Sequence, residues 1–299
     1  MKLDFEDRED HYTFLDASEL RSRVEAITAA GQFHDLGRFQ RRDSWLGNVT
    51  YDEALRAITL GDESLVADSD KLLSELEDKL PHTKKFQIQR GIAGGAVDVP
   101  QFLSGRPDCM RRRVRLDRND APVTIFMDLT SSGMISASAL LKRGTTILAL
   151  ARALCEHRTV ELWGGVSLGG GTGYAGGKAW SSTVAWRIDT APLVLAHAAF
   201  LLSSPAIARG VGYGIGPACA GRSWSGSWSF GNHDLHVRTQ TERLRNAMGA
   251  SEMLVIPPIY GTDPLVSAPL EWITRELTRL TTGDAPGSED WNRERNHAH

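Results

Sequence analysis

The sequence predicts an α/β fold: a doubly wound, mostly parallel sheet with one antiparallel edge strand, preceded by a helical accessory region. Three observations predict it. Residues 123–127 form a nearly continuous apolar run, which is typical of a strand covered on both faces. Apolar runs and helix-like segments then alternate along the chain, as in α/β domains. Leucines at helical spacing before Pro81 predict the helical region.

The N-terminal part of the chain is predicted to be helical over residues 1–90. Apolar spacing and terminal glycines indicate helices over 18–30 and 51–60, and a leucine-rich helix follows over 65–80. Residues 91–120 are different, because glycines, prolines and arginines interrupt any apolar periodicity. This segment is predicted to be an irregular basic connection.

The α/β domain is predicted over residues 121–282. Its first strand precedes a long helix over 137–157, and a glycine-rich link then joins two strands, 159–166 and 182–188, as a hairpin. The elements predicted after the hairpin are helices over 192–202, 236–248 and 269–280 and a strand over 253–256. Residues 283–299 are polar, which predicts a disordered tail.

Composition limits the classes of protein. The chain of 299 residues carries a net charge of −3, so nothing global demands a polyanionic partner. Its three cysteines lack CxxC spacing, which argues against a disulfide framework or a zinc knuckle. The acidic N-terminus lacks an apolar signal core, and no run approaches the ~20 apolar residues of a membrane span. We therefore expect a cytoplasmic protein with no membrane partner.

The first strand of the domain ends in polar residues. Asp128, Thr130 and Ser132 alternate directly after it, and alternate residues of an extended segment project the same way. One carboxylate and two hydroxyls would then converge at the carboxyl edge of the sheet, where open α/β folds bind ligands. The alternative is that Asp128 caps the following helix.

A second candidate site combines basic and aromatic residues. An arginine-rich segment, 111–118, could contact phosphates, and two tryptophans in the Gly/Ser/Trp-rich loop 210–232 could stack on bases. The residues predicted to bind a partner or nucleic acid are Arg111, Arg112, Arg113, Arg115, Trp224 and Trp228. The alternatives are a solvated basic face and tryptophans that pack their loop. A nucleic-acid- or virion-associated protein is thus the second functional hypothesis.

No pattern nominates catalytic residues. Gly171-x-Gly173-x-x-Gly176 is followed by a strand-like segment, whereas a dinucleotide-binding loop must open a helix. Ser225 has no strand before it, so it does not sit in a nucleophile elbow. The sequence therefore favours a non-enzymatic protein, while an enzyme with its site in loop 210–232 stays open.

The order of elements after residue 121 and the motif Asp128-x-Thr130-x-Ser132 resemble the von Willebrand factor A domain. The resemblance implies a metal-ion-dependent adhesion site, with Mg²⁺ or Mn²⁺ bound to Asp128, Thr130 and Ser132 and receiving a partner's carboxylate. Asp234 is the best candidate for the ligand from the second loop. In the family a later strand usually ends in an acid, whereas here the strand runs into Pro257-Pro258.

Two narrower resemblances concern partners and origin. The segment from Gly231 through Trp272-Ile-Thr-Arg-Glu276 resembles the C-terminal domain of the cobaltochelatase T subunit, which implies a partner among the AAA+ ATPases. The segment from Gly94 to Met110 resembles uncharacterised proteins of bacteriophages and related mobile elements, which implies a phage protein in the bacterial host cytoplasm. The leading hypothesis is therefore a protein-interaction module that binds through the carboxyl edge of its sheet.

Overall fold

The computed structural model describes residues 2–4, 8–67, 70–71, 74, 86–93, 95–115, 122–155, 158–170, 179–221 and 233–282. The fold is α/β, as predicted, with a mixed, mostly parallel sheet, a second small antiparallel sheet and helices. The strands are β1 Lys2–Asp4, β2 Arg8–Leu15, β3 Phe86–Gly91, β4 Ala96–Val97, β5 Met110–Arg115, β6 Val123–Asp128, β7 Val160–Gly170, β8 Ala179–Ile188 and β9 Glu252–Ile256.

The helices alternate with the strands from β6 onward. The α-helices are α1 Ala17–Ala29, α2 Leu36–Gln40, α3 Tyr51–Leu60, α4 Val99–Leu103, α5 Ala137–Cys155, α6 Leu195–Ser203, α7 Tyr213–Cys219, α8 His233–Met248, α9 Pro264–Ser267 and α10 Pro269–Thr282. Short 3₁₀ turns cover Ser44–Leu46 and Glu63–Leu65, and Ala206–Gly212 is a π-helix. Within the described residues, no helix has the length and apolarity that a membrane span requires.

The main sheet has six strands in the order β1-β2-β8-β7-β6-β9. β6 lies parallel to both β7 and β9, and β2 lies parallel to β8, whereas the pairs β7–β8 and β1–β2 are antiparallel. The hairpin prediction places β8 antiparallel to β7, as observed. β8 is nevertheless not an edge strand, because β2 pairs with it from Arg8–Ala179 to Leu15–Trp186.

Apolar cores cover both faces of this sheet. In β6, Val123, Ile125 and Met127 belong to the larger cluster, whereas Phe126 points into a smaller one with Leu244 of α8. The larger cluster also contains buried residues of α1, α3, α5, α6 and α10. The N-terminal helices therefore share the core of the α/β domain.

The region predicted to be helical over 1–90 also contains strands, because β1 and β2 join the main sheet and β3 joins the small one. Two later segments also differ from their predicted structure. The basic connection predicted over 91–120 contains β4, α4 and β5, which form a three-stranded antiparallel sheet with β3 in the order β3-β5-β4. Residues 210–221, predicted as loop, lie in the π-helix, in α7 and in the turn after it, and residues 222–232 lie outside the described part. Both segments therefore form regular structure despite their many glycines.

Gly144 allows α5 to pack closely against α6. A Cβ atom at this position would lie 2.5 Å from Cβ of Ser203 and 2.7 Å from the carbonyl oxygen of Leu202, so backbone would have to move. An alanine inside a helix is normally more stable than a glycine by about 0.5–1 kcal/mol. At this position, close packing should make the alanine variant less stable than the glycine.

We expect Gly144→Ala to lower the free energy of unfolding by about 1–3 kcal/mol, the usual cost of overpacking a core. Urea unfolding followed by circular dichroism measures the change. Gly37→Ala is the matched control, because Gly37 is also helical and its added Cβ would meet only Arg41 Nη1 at 3.9 Å. The control should be stabilised by up to about 1 kcal/mol; equal effects of the two substitutions would contradict the packing argument.

Candidate functional site

The polar end of β6 is buried and internally bonded. The Thr130 N–H donates to Asp128 Oδ1 at 2.9 Å, and the Thr130 hydroxyl donates to the Ser167 carbonyl at 3.2 Å and accepts from the Ser167 N–H at 3.0 Å. Ser132 Oγ instead accepts from the Met134 N–H at 3.3 Å. The structure thus brings Asp128 and Thr130 together, as the alternation predicts, while the Ser132 hydroxyl serves a local turn.

Burial raises the pKa of the Asp128 carboxyl above its usual 3.8, although hydrogen bonds from Thr130 and Ser167 and the charge of Arg143 oppose the shift. Arg143 is itself fully buried, and it donates from Nη1 to the Asp128 carbonyl at 2.9 Å. Asp128 does not cap the following helix. Ser136 does so, because its Oγ accepts from the Ala139 N–H at 3.1 Å.

These contacts do not fit a magnesium ion. Both hydroxyls expected as ligands are used in bonds within the protein, and Asp263, the acid nearest to Pro257-Pro258, pairs with Arg143 at 2.7 Å. The described residues contain no group of three or more His, Cys, Asp or Glu side chains that could hold a metal. Asp234 lies in α8, and its side chain is outside the described part. The described residues at this edge therefore do not form a metal site.

A cavity of about 330 Å³ opens beside the same loop. Its walls come from the N-terminal region, from the loop after β6 and from the π-helix. The residues that matter for its chemistry are His34, Arg38, Trp45, Ser131, Arg209 and Tyr213. The cavity is thus at the carboxyl edge of the sheet, but Asp128, Thr130 and Ser132 are not among the residues that line it.

Arg209 is the central charged group of this cavity. Its side chain, on the π-helix, is 4% exposed and donates to Ser131 Oγ at 3.2 Å. It also donates to three backbone carbonyls, those of Trp45, Ser132 and Ile135. None of these acceptors is a carboxylate, and burial lowers the pKa of Arg209. A buried guanidinium charge therefore faces the cavity without an acidic partner among the residues described.

Aromatic rings hold the charged groups in place. The guanidinium carbons of Arg38 and Arg209 lie 4.9 and 5.1 Å from the centre of the Trp45 ring, within cation–π range. Arg38 is 40% exposed and pairs with Asp35 at 2.5 Å. The Tyr213 hydroxyl donates to the Ser131 carbonyl at 3.1 Å, and burial raises the pKa of Tyr213 to about 12. Tyr213 is therefore a neutral phenol that fixes the loop.

Of the other predicted site residues, Arg111 has a described side chain, and it does not line this cavity. Arg111 is exposed on β5 and donates to Asp98 at 2.6 and 2.9 Å. Arg112, Arg113 and Arg115 also lie in β5, but their side chains are outside the described part, as are Trp224 and Trp228 altogether. Arg111 therefore pairs with Asp98 while about half of its side chain stays exposed.

Sequence reasoning missed the cavity because its residues are far apart in the chain, from His34 to Tyr213. One local signal exists. Arg209 interrupts a run of small and apolar residues, Ala206-Ile-Ala-Arg-Gly-Val-Gly212, where a charge is unexpected. π-Helical turns also occur frequently at functional sites, although the sequence did not indicate one here.

Comparison with known proteins places the chain in a family. The model of a family described as a domain of unknown function, DUF7192, matches residues 5–277. The chain belongs to the DUF7192 family. No curated protein and no solved structure matches it. The residues that line the cavity of this DUF7192 chain all lie within the matched range.

The raised pKa of Asp128 predicts how stability depends on pH. Because the folded-state pKa lies above the unfolded value of 3.8, its contribution is complete below that pH and is lost as pH rises through the folded pKa. Asp128→Asn keeps an oxygen for the Thr130 N–H but cannot ionise. We expect the free energy of unfolding of the wild type to fall relative to Asp128→Asn as pH rises.

Urea unfolding of both proteins across pH 4–8 measures this difference. Asp189→Asn, at an exposed position after β8, is the control and should follow the wild type. If the wild type gains stability relative to Asp128→Asn with rising pH, the carboxyl is stabilised as an anion and the burial argument is wrong.

Proposed function

We propose that this DUF7192 chain is a non-enzymatic protein-interaction module with a von Willebrand A-like domain. It binds a partner protein by taking a carboxylate of that partner into the Arg209 cavity. The order β6, α5, β7, β8 is the strand, helix, strand, hairpin order on which the resemblance rests. The resemblance to the cobaltochelatase T subunit makes an AAA+ ATPase a reasonable partner, in a phage-encoded setting.

The observation that carries the proposal is the unneutralised charge of Arg209. A buried cation is costly unless it is paired, and among the residues described a hydroxyl, three carbonyls and the Trp45 ring stabilise it without a carboxylate. Nη1 has two N–H groups but makes one bond, to the Trp45 carbonyl, among the contacts described. An incoming carboxylate would supply both the missing charge and a second acceptor, and guanidinium–carboxylate bonds are among the stronger hydrogen bonds in proteins.

Arg38 lies nearer to solvent than Arg209, over the same tryptophan ring. Asp35 and Asp43 pair with it at 2.5 and 3.6 Å, so its charge is neutralised within the protein. Arg209 is therefore the cation that an entering carboxylate would bind, and Arg38 lies against the ring beside it.

The rim of the cavity suits contact with a protein surface. The loop after Ser132 carries Met134, which is 93% exposed, and Gly133, which lines the opening. Methionine adapts to varied apolar surfaces and is frequent at binding sites. Met134 would therefore add an apolar contact with the partner beside the charged cavity.

A direct test uses blocked amino acids as probes of the cavity. Titrating N-acetyl-glutamate amide should shift the Arg209 Nε–H resonance in NMR spectra, whereas N-acetyl-glutamine amide, which lacks the charge, should not. The response should persist in EDTA, because no metal ion takes part. A shift that requires Mg²⁺ would show that a metal ion takes part in binding and would contradict the proposal.

Two variants sharpen this test. Gly133→Leu should abolish the shift by filling the opening, since an added Cβ there meets only Trp45 Nε1 at 3.7 Å and the fold tolerates it. Arg187→Ala, an exposed arginine on β8 outside the cavity, should respond as the wild type does. Equal responses to the glutamate and glutamine probes would rule out carboxylate recognition.

A further inference from the structure

The three-stranded sheet stands apart from the core of the domain. Strands β3, β5 and β4 pair with one another and carry the short helix α4 between β4 and β5. Among the residues described, none from 86–115 belongs to either apolar core cluster. The described apolar side chains of this small sheet are therefore not buried in the core of the main domain.

That apolar surface is exposed. Five of the eight large apolar side chains that are exposed in the described part lie within 92–103. They are Ile92, Val97, Val99, Phe102 and Leu103. Val99, Phe102 and Leu103 occupy helical positions i, i+3 and i+4, so they share one face of α4. Such a concentration of exposed apolar side chains marks an interaction surface.

Positive charge surrounds the same surface. Residues 86–115 contain six arginines and two aspartates, a net charge of +4, whereas the whole chain has −3. Asp98 is buried and pairs with Arg111 at 2.6 Å and Arg90 at 3.1 Å, while about half of each arginine side chain stays exposed. Arg106, 58% exposed, pairs with Asp108 at 3.1 Å on the turn after α4, so these three arginines and two aspartates carry a net charge of +1.

We propose that this surface, formed by the five apolar side chains and by Arg90, Arg106 and Arg111, docks an acidic amphipathic helix of a partner protein. The apolar face of the helix would pack on Val99, Phe102 and Leu103, since helix faces interdigitate through i, i+3 and i+4 positions. Its carboxylates would pair with the surrounding guanidiniums. Charge complementarity selects an acidic helix over a basic one.

Three other occupants fit less well. A two-fold dimer through this surface would bring the same exposed arginines of both copies together, because both copies contribute the same patch. Single-stranded nucleic acid needs aromatic stacking, and only Phe102 of the five apolar side chains is aromatic. Binding to a membrane interface grows with the apolar area that a helix buries, and α4 offers three apolar side chains on its exposed face.

The test uses the full chain and a fluorescein-labelled helical peptide with leucines at i, i+3, i+4 and i+7 and glutamates at most other positions. Fluorescence anisotropy should show that this peptide binds at least about tenfold tighter than a scrambled peptide of the same composition, as loss of one buried leucine contact implies. Binding should weaken as salt is raised, because it includes ion pairs.

Variants locate the binding surface. Leu103→Asp should weaken binding by about tenfold or more, since it removes an apolar contact and adds a repelling charge. Leu60→Asp, at another exposed leucine on α3, is the matched control and should bind as the wild type does. Gly133→Leu should also bind normally, which separates this surface from the Arg209 cavity.

Several outcomes would overturn the proposal. One is no binding of the amphipathic peptide, or equal binding of its scrambled form. Another is tighter binding to vesicles of phosphatidylserine and phosphatidylcholine, or to a single-stranded oligonucleotide, than to the peptide. A third is an unchanged affinity in Leu103→Asp. None of these results would bear on the carboxylate cavity, whose probe is different.

Discussion

The buried guanidinium of Arg143 holds the carboxyl edge of the main sheet together. From α5 it donates to the carbonyl of Asp128 at the end of β6 and to that of Pro257 just after β9, and it pairs with Asp263 at 2.7 Å. A buried ion costs several kcal/mol unless its partners are complete. Because a carboxylate neutralises this arginine and two carbonyls accept from it, it can fix the ends of two neighbouring strands, and the loop after β6 starts from a rigid position.

That loop is also fixed from its other side by Arg209, and the two arginines differ in one respect. Arg143 has the carboxylate of Asp263, so its charge is satisfied within the protein. Arg209 binds the loop through Ser131 and Ser132, but its hydrogen-bond acceptors among the residues described are hydroxyl and carbonyl oxygens and include no carboxylate. The first arginine therefore stabilises the edge, whereas the second presents a charge to the cavity. Preorganised charge of this kind is what a binding site requires.

The sequence predicts those parts of the fold that depend on local pattern. Apolar runs identify β6 to β9, and helical spacing identifies α5 and α10, because burial imposes those periods on the sequence. It does not predict β2, whose Arg8-Glu-Asp-His11 start is charged; Asp10 is buried there through bonds from Ser181 and Arg243, far away in the chain. The residues at the carboxyl edge also fall into two groups, those that a local pattern identifies and those that it does not. Alternation after β6 identifies Asp128 and Thr130, but no local pattern brings Arg38, Trp45 and Arg209 together.

The two prolines after β9 have a physical consequence at this edge. Where the von Willebrand A resemblance leads one to expect an acid, the chain has Pro257, whose carbonyl accepts from Arg143, and the acid Asp263 comes six residues later to pair with the same arginine. A guanidinium thus binds the Asp128 carbonyl, but its charge is neutralised by Asp263. A carboxylate approaching this edge then needs another cation, and Arg209 is placed to provide one. The resemblance and the absence of a fitting set of metal ligands among the residues described are compatible if a guanidinium has replaced the metal ion as the group that receives the partner.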